Sequence, residues 1–165
     1  MHAMRFRFSA PACLTLGLVL LVSGCGGGDA PPTMKEDFIA KVDKLCAADN
    51  KQTAKSAAAF QVAIEDEDYD AAAQVVLDLQ TYEAAMIDKI EAIDPPEADQ
   101  VTIDEFVSLS RQMSDLDTDI AQAIRAEDKA ASDTAEKEGD LLEDRRNRLA
   151  DDYGFKVCGS GETTS

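Results

Sequence analysis

The chain has 165 residues with 33 acidic and 16 basic side chains, which gives a formal net charge of −17. This excess of negative charge repels nucleic-acid phosphates and anionic lipid headgroups, so nucleic acid is excluded as an expected partner. The only histidine is His2. The rest of the chain has no imidazole for acid–base catalysis or metal ligation, which excludes Ser–His and Cys–His mechanisms there.

The first 24 residues have the layout of a secretory signal. Two arginines form a positive start, and the apolar stretch 12–22 has the length of a signal core but is too short to span a membrane. The stretch ends in Val-Ser-Gly-Cys, which resembles the lipobox of bacterial lipoproteins. The resemblance implies that Cys25 carries a diacylglycerol and that the chain is cut between Gly24 and Cys25. A plain secretory signal with an incidental cysteine is the alternative.

Residues 25–32 comprise the cysteine to be lipidated and a segment made mainly of glycine and proline. This composition predicts a flexible tether between the anchor and a folded domain. Under this interpretation the protein is exported and lipid-anchored to the membrane, facing the extracytoplasmic side. The membrane is then its first expected partner, and it is reached through acyl chains.

The four cysteines have different predicted roles. Cys13 lies in the signal and Cys25 is the lipidation site, which leaves Cys46 and Cys158 as an even pair in an oxidising compartment. We therefore predict a disulfide between Cys46 and Cys158. Two unpaired buried thiols are the alternative. A metal site is less favoured, because two cysteines without a histidine are only half of a zinc site.

Residues 33–158 are predicted to form one all-α domain. Glycine and proline are nearly absent up to Tyr153, and no alternating strand pattern with turn residues occurs. Thr33 and Glu36 have the spacing of a capping box, which predicts the start of the first helix. A polar interval at residues 49–50 indicates a possible bend in that helix.

Breaks in the apolar period divide the domain into four predicted helices. The acidic run 65–68 ends helix 1, and helix 2 starts near residues 68–69. Helix 2 ends at residues 94–96, because a residue before proline avoids the helical region. Residues 126–128 form the turn into helix 4, which Gly154 caps. The predicted inward residues are Phe38, Val42, Leu45, Ala57, Phe60, Ile64, Val75, Val76, Leu79, Tyr82, Met86, Ile90, Ile93, Phe106, Leu109, Met113, Leu116, Ile120, Ala123, Ala131, Ala135, Leu142, Leu149 and Tyr153.

Short connections between four helices predict an antiparallel four-helix bundle with up-down-up-down topology, stapled by one disulfide. In this topology the start of helix 1 lies beside the end of helix 4, whereas Cys46 lies roughly 20 Å along helix 1 at about 1.5 Å per residue. Residues 154–158 must therefore fold back along helix 1, or helix 1 must extend past helix 4. Residues 159–165 are predicted to be a disordered tail.

The acidic residues between helices 1 and 2 give at most a weak cation site. Asp66, Asp68 and Asp70 have the first spacings of a calcium-binding loop. Such a loop also needs glycine and glutamate at its sixth and twelfth positions, and here these are Ala71 and Leu77. We therefore expect no metal or cofactor, and a weak surface cation site is the alternative.

Arg145, Arg146 and Arg148 form the densest basic cluster. Their position near the end of helix 4 is explained by the helix dipole and by pairing with neighbouring acids better than by an anion site. Asp115 and Asp119 share a helix face, which we interpret as the solvated side of helix 3. No catalytic residue is expected.

Three segments resemble a group of small helical bacterial lipoproteins and secreted proteins of uncharacterised function. The segments are Phe38-Ile39-Ala40-Lys41-Val42-Asp43-Lys44-Leu45-Cys46, Ile93-Asp94-Pro95-Pro96 and Tyr153-Gly154-Phe155-Lys156-Val157-Cys158-Gly159. The resemblance covers most of residues 35–159. It implies a helical fold with paired cysteines, and it implies no activity.

The sequence therefore favours a membrane-anchored lipoprotein with a non-enzymatic interaction or envelope-structural role, with an envelope protein as a possible partner. The alternative is a lipoprotein that binds a cation or small molecule between its helices for a transport or sensing partner. An enzyme is the least favoured class, because no catalytic set is found.

Overall fold

A computed structural model describes residues 33–160 of the chain. The predictions that concern residues 1–32, namely the signal, cleavage between Gly24 and Cys25, lipidation of Cys25 and the tether, lie outside the described residues. The last part of the predicted tail, residues 161–165, also lies outside them.

The domain consists of four α-helices and one short 3₁₀ helix. The long helices are α1 (Met34–Glu65), α2 (Tyr69–Glu91), α3 (Gln100–Arg125) and α4 (Lys129–Tyr153), and the 3₁₀ turn Glu97–Asp99 precedes α3. Residues 33–160 contain no strand. The predicted all-α, up-down-up-down four-helix bundle is therefore confirmed, with sequential helices packed antiparallel to one another.

The helix ends follow the predicted capping chemistry. Thr33 accepts a hydrogen bond from the backbone N–H of Glu36, and the Glu36 carboxylate accepts one from the N–H of Thr33. Gly154 ends α4 with φ of 106°, a left-handed conformation that glycine adopts without a steric penalty. The capping-box prediction and the C-cap prediction are confirmed.

Two local predictions differ from the structure. Helix α2 ends at Glu91, a few residues before the proline pair. The polar interval at residues 49–50 lies inside one continuous α1, where the side chain of Asp49 is half-buried. Ala57 and Ala131 are exposed, since a small apolar side chain leaves little surface to bury on either face.

The hydrophobic core lies at one end of the bundle, which we call the proximal end. It contains the start of α1, the end of α2, the start of α3, the end of α4 and the segment after α4. Its buried members are Phe38, Val42, Cys46, Ile87, Ile90, Ile103, Phe106, Val107, Ala150, Tyr153, Phe155 and Cys158. The hydroxyl of Tyr153 donates a hydrogen bond to Asp99, which joins α4 to the loop before α3.

The tail after α4 folds back across the bundle, which is one of the two arrangements that the cysteine spacing allows. Cys46 and Cys158 form a disulfide that closes a loop of 112 residues, for which the chain-entropy model gives about 4–5 kcal/mol of stabilisation. The carboxylate of Asp43 accepts hydrogen bonds from the backbone N–H groups of Lys156 and Val157. Ser160 donates a backbone hydrogen bond to Asp151 of α4. The tail therefore lies across α1 and α4.

The seam between α1 and α4 is open at the other end, which we call the distal end. Within the described helices, α1 packs on α2, α2 on α3 and α3 on α4, whereas no Cα of α1 lies within 8 Å of a Cα of α4. At the proximal end the tail and Tyr153 bridge these two helices.

None of the helices described in residues 33–160 is long and apolar enough to cross a membrane.

Candidate functional site

The distal end is formed by two helix–helix turns with the same geometry. Asp68 caps α2 by accepting from the N–H of Ala71, and Asp128 caps α4 by accepting from the N–H of Ala131. The residues before these caps, Glu67 and Glu127, have φ of 56° and 52°. Among the spaced aspartates 66, 68 and 70, capping thus accounts for Asp68, and the carboxylate of Asp70 lies 3.6 Å from the guanidinium of Arg125 on α3.

The arginine cluster of α4 divides among three environments. Arg145 pairs with Glu105 of α3, which agrees with the interpretation that neighbouring acids explain the cluster. Arg148 is exposed, whereas Arg146 is half-buried and lies among acidic residues of the other helices. Asp115 and Asp119 are exposed on α3, as expected for its solvated side.

The most unusual feature inside the bundle is a group of four charged residues, one from each helix. It consists of Asp49 of α1, Glu83 of α2, Asp117 of α3 and Arg146 of α4, and we call it the charged cluster. All four are half-buried. With three acids and one base, the group has two more negative charges than positive ones when all are ionised.

Electrostatics favour the protonated form of the acids in this cluster. Burial, together with the negative charges of Asp117 and Asp49, raises the pKa of Glu83 to about 7, and the Arg146 guanidinium opposes the shift. Burial raises the pKa of Asp117 to about 6. It also raises the pKa of Asp49, again against the effect of Arg146. The cluster therefore takes up protons as the pH falls from neutral to mildly acidic values.

Hydrogen bonds satisfy only part of this polar interior. Gln80 of α2 donates to the carbonyl of Ser114 and to the hydroxyl of Thr118, which fixes α2 against α3. In contrast, Asp49 Oδ1 and Arg146 Nε are buried without a hydrogen-bond partner. A buried polar atom without a partner costs about 1–3 kcal/mol, so the cluster lowers the stability of this part of the bundle.

The sequence contains a weak signal for this cluster, which an apolar stripe alone does not reveal. Asp49 fell in the polar interval of helix 1, and Glu83 and Asp117 each directly follow an inward residue of a stripe, Tyr82 and Leu116. A helix buries a stripe wider than one row of residues, so a charge beside the stripe is often partly buried. Their meeting across four helices depends on register, which the sequence alone does not show.

The cluster does not have the arrangement of a metal site. Among the described residues no three His, Cys, Asp or Glu side chains are placed to hold one metal ion together. Its acids can instead exchange protons or attract an organic cation. Neither the charged cluster nor the distal turns contain the nucleophile–base pairing that would indicate covalent catalysis.

Comparisons with protein-family models, with curated proteins and with solved structures find no match for this chain.

Proposed function

We propose that this protein is an exported, lipid-anchored domain with a non-enzymatic interaction role at the membrane surface. The lipobox-like residues up to Cys25 and the glycine- and proline-rich segment after it support export and anchoring. The proposed role is to bind a partner protein of the envelope through the distal end of the bundle.

The observation that carries this proposal is the separation of the two ends of the bundle. Thr33, where the chain enters the domain, lies at the proximal end with the core and the disulfide. The 32 residues of α1 extend about 48 Å from there at about 1.5 Å per residue. The distal turns are therefore the part of the described domain farthest from Thr33 along α1, and we take them as the surface that meets a partner.

The anchor is tested by cell fractionation of two cysteine variants. Cys25→Ala should move the protein from the membrane fraction to the soluble exported fraction and should remove an acyl mass. Cys13→Ala is the matched control, because this cysteine lies in the predicted signal and its loss should leave the protein in the membrane. Continued membrane association of Cys25→Ala would contradict lipid anchoring.

The interaction role is tested by site-specific photocrosslinking in the native envelope. One crosslinking residue replaces the exposed Glu67 at the distal end, and a second replaces the exposed Glu97 at the proximal end. The proposal expects a discrete protein adduct from position 67 and none, or a much weaker one, from position 97. Equal adducts from both positions would argue against distal recognition.

A second candidate function is the binding of a small cation between the helices, for a transport or sensing partner. The excess negative charge of the charged cluster and the unpartnered Asp49 Oδ1 favour it. Thermal melting with added calcium, magnesium or spermidine tests it, because a ligand that binds only the native state raises the melting temperature with its concentration. Absence of a saturable shift for all three would reject this candidate.

A further inference from the structure

A cleft of about 420 Å³ lies at the distal end, in the open seam between α1 and α4. Phe60 and Ile64 of α1 form one wall, and Ala123 and Ile124 of α3 contribute apolar surface with Tyr69 of α2 nearby. Phe60, Ile64 and Ile124 are only half-buried, so their apolar surface is accessible from the seam.

The rim of this cleft is strongly acidic. Its charged members come from the turn before α4 and from the first turns of α4: Glu127, Asp128, Lys129, Asp133 and Glu136. Lys129, the basic residue among them, already pairs with Asp133 at 2.6 Å. An occupant must therefore combine an apolar face with positive charge.

The length of the rim indicates several positive charges rather than one. From Lys129 to Glu136 the α4 part of the rim covers eight residues, or about 10 Å along the helix, which is about two turns. Although Lys129 pairs with Asp133 and Asp128 caps α4, a single ammonium group would still leave excess negative charge on the rim. Lysines spaced one turn apart on a helix would reach carboxylates along the whole wall.

The protein itself shows what fills the same seam at its proximal end. There the segment Phe155-Lys156-Val157 lies across α1 and α4, with Phe155 against Phe38 and Phe106, and Asp43 accepts its backbone N–H groups. An apolar segment whose backbone N–H groups are held by Asp43 thus completes the seam where the chain provides one. The described residues provide no such segment at the distal end.

We propose that the distal cleft binds a basic amphipathic helix of a partner protein, with its apolar face on Phe60, Ile64 and Ile124 and its lysines on the α4 carboxylates. The inference rests on the proposed interaction role and names the chemistry of the partner. It uses a helix-in-groove mode, in which apolar anchors give affinity and charges give orientation and association rate.

The test measures binding of labelled model peptides to the full-length Cys25→Ala chain by fluorescence anisotropy. The probe is a helical peptide of leucine and lysine with one apolar face. Two comparison peptides replace either the lysines with glutamate or the leucines with serine. The proposal expects saturable binding of the leucine–lysine peptide alone, weakened as salt rises from about 50 to about 300 mM because exposed charges are then screened.

Matched variants on α4 distinguish binding of the peptide in the cleft from nonspecific attraction of a basic peptide to an acidic protein. Asp133→Asn with Glu136→Gln should weaken binding at least about tenfold, since two carboxylates are lost and Lys129 is left unpaired. Asp140→Asn with Glu143→Gln makes the same charge change outside the cleft and should weaken it less than about threefold. Equal losses in the two pairs would overturn the proposal.

Two further results keep the proposal open to refutation. Phe60→Ala, checked for folding by circular dichroism, should also weaken binding of the leucine–lysine peptide. Unchanged affinity would show that the peptide does not bind in the cleft. Dodecylamine serves as the comparison small amphiphile, and tighter binding of the amine than of the peptide would overturn the peptide assignment. Because no anchor is needed in this assay, its failure leaves the fractionation result unaffected, and the reverse also holds.

Discussion

At the proximal end, Phe38, Tyr153 and Phe155 pack ring against ring over a disulfide, with ring centroids 4.9–6.2 Å apart. At the distal end the buried apolar side chains are all alanines: Ala63, Ala72, Ala73, Ala121, Ala123 and Ala135. A fully buried phenylalanine contributes about 1.5–3 kcal/mol, whereas an alanine buries roughly one methyl group. The comparison shows that helices of similar regularity can differ greatly in how firmly their packing holds them.

The difference between the two ends is also related to the position of the charged cluster. The charged cluster lies between the proximal core and the distal turns, so it interrupts the apolar core along the bundle axis. Helices beyond this interruption are held mainly by hairpin packing with their neighbours in sequence. A region with few large buried side chains opens at lower free energy than the rest of the molecule.

The largest expected difference between the ends comes from one substitution made at two places in α1. Phe38→Ala removes a ring that is 2% exposed and should lower the free energy of unfolding by about 3–5 kcal/mol. Phe60→Ala removes a half-buried ring and should cost about 1 kcal/mol. Urea denaturation with a common slope measures both. Similar losses at the two positions would contradict the unequal packing.

The second-largest expected effect is a pH-dependent change in stability at the charged cluster, which lies between the proximal and distal ends. The pKa of Glu83 is raised in the folded state to about 7, so the folded state binds more protons than the unfolded state between about pH 4.5 and pH 7. This contribution to stability is therefore present below about pH 4.5 and is lost as the pH rises through 7.

Glu83→Gln should accordingly stabilise the protein by about 1–2 kcal/mol at pH 8, with solvent screening taken into account, and should change little at pH 4.5. Glu138→Gln, an exposed acid on α4, is the control and should show no such pH-dependent difference. Thermal or urea unfolding at both pH values measures the effect. A constant difference between wild type and Glu83→Gln across this range would show that Glu83 does not titrate in the cluster.

The smallest expected effect concerns the distal turns. Glu67 has φ of 56°, a conformation that costs an ordinary residue about 1 kcal/mol and glycine almost nothing. Glu67→Gly should therefore stabilise the protein by about 0.5–1 kcal/mol, whereas Glu65→Gly in the last turn of α1 should destabilise it by a similar amount. Opposite signs in equilibrium unfolding support the turn geometry. Destabilisation by both variants would contradict it.

Much of this fold could be predicted because its signals are local. The capping box at Thr33, the proline pair at residues 95–96, the glycine at position 154 and the seven-residue apolar period of α3 each act within a few residues. The cysteine count also predicted a long-range contact, since the assignment of Cys25 to lipid leaves one pair. That pairing required either that the tail fold back or that helix 1 extend past helix 4, and in the structure the tail folds back.

The candidate sites were harder to predict because they depend on contacts between distant segments. The charged cluster joins residues from position 49 to position 146, and each one alone has the pattern of a solvated helix face. The distal cleft arises because α1 and α4 do not pack closely, and a sequence pattern gives helix faces but not gaps between helices. Register and interhelical spacing, rather than residue type, determine both features.

Amide hydrogen exchange of the native protein tests the central claim most directly, because it measures the opening free energy residue by residue. The two-ended description predicts that amides around Leu45, Ile90 and Phe106 exchange only through global unfolding. Amides of residues 59–64 and 132–136 should exchange at clearly lower free energy, and more so at pH 8 than at pH 5 after correction for intrinsic rates. Uniform protection from end to end at both pH values would contradict it.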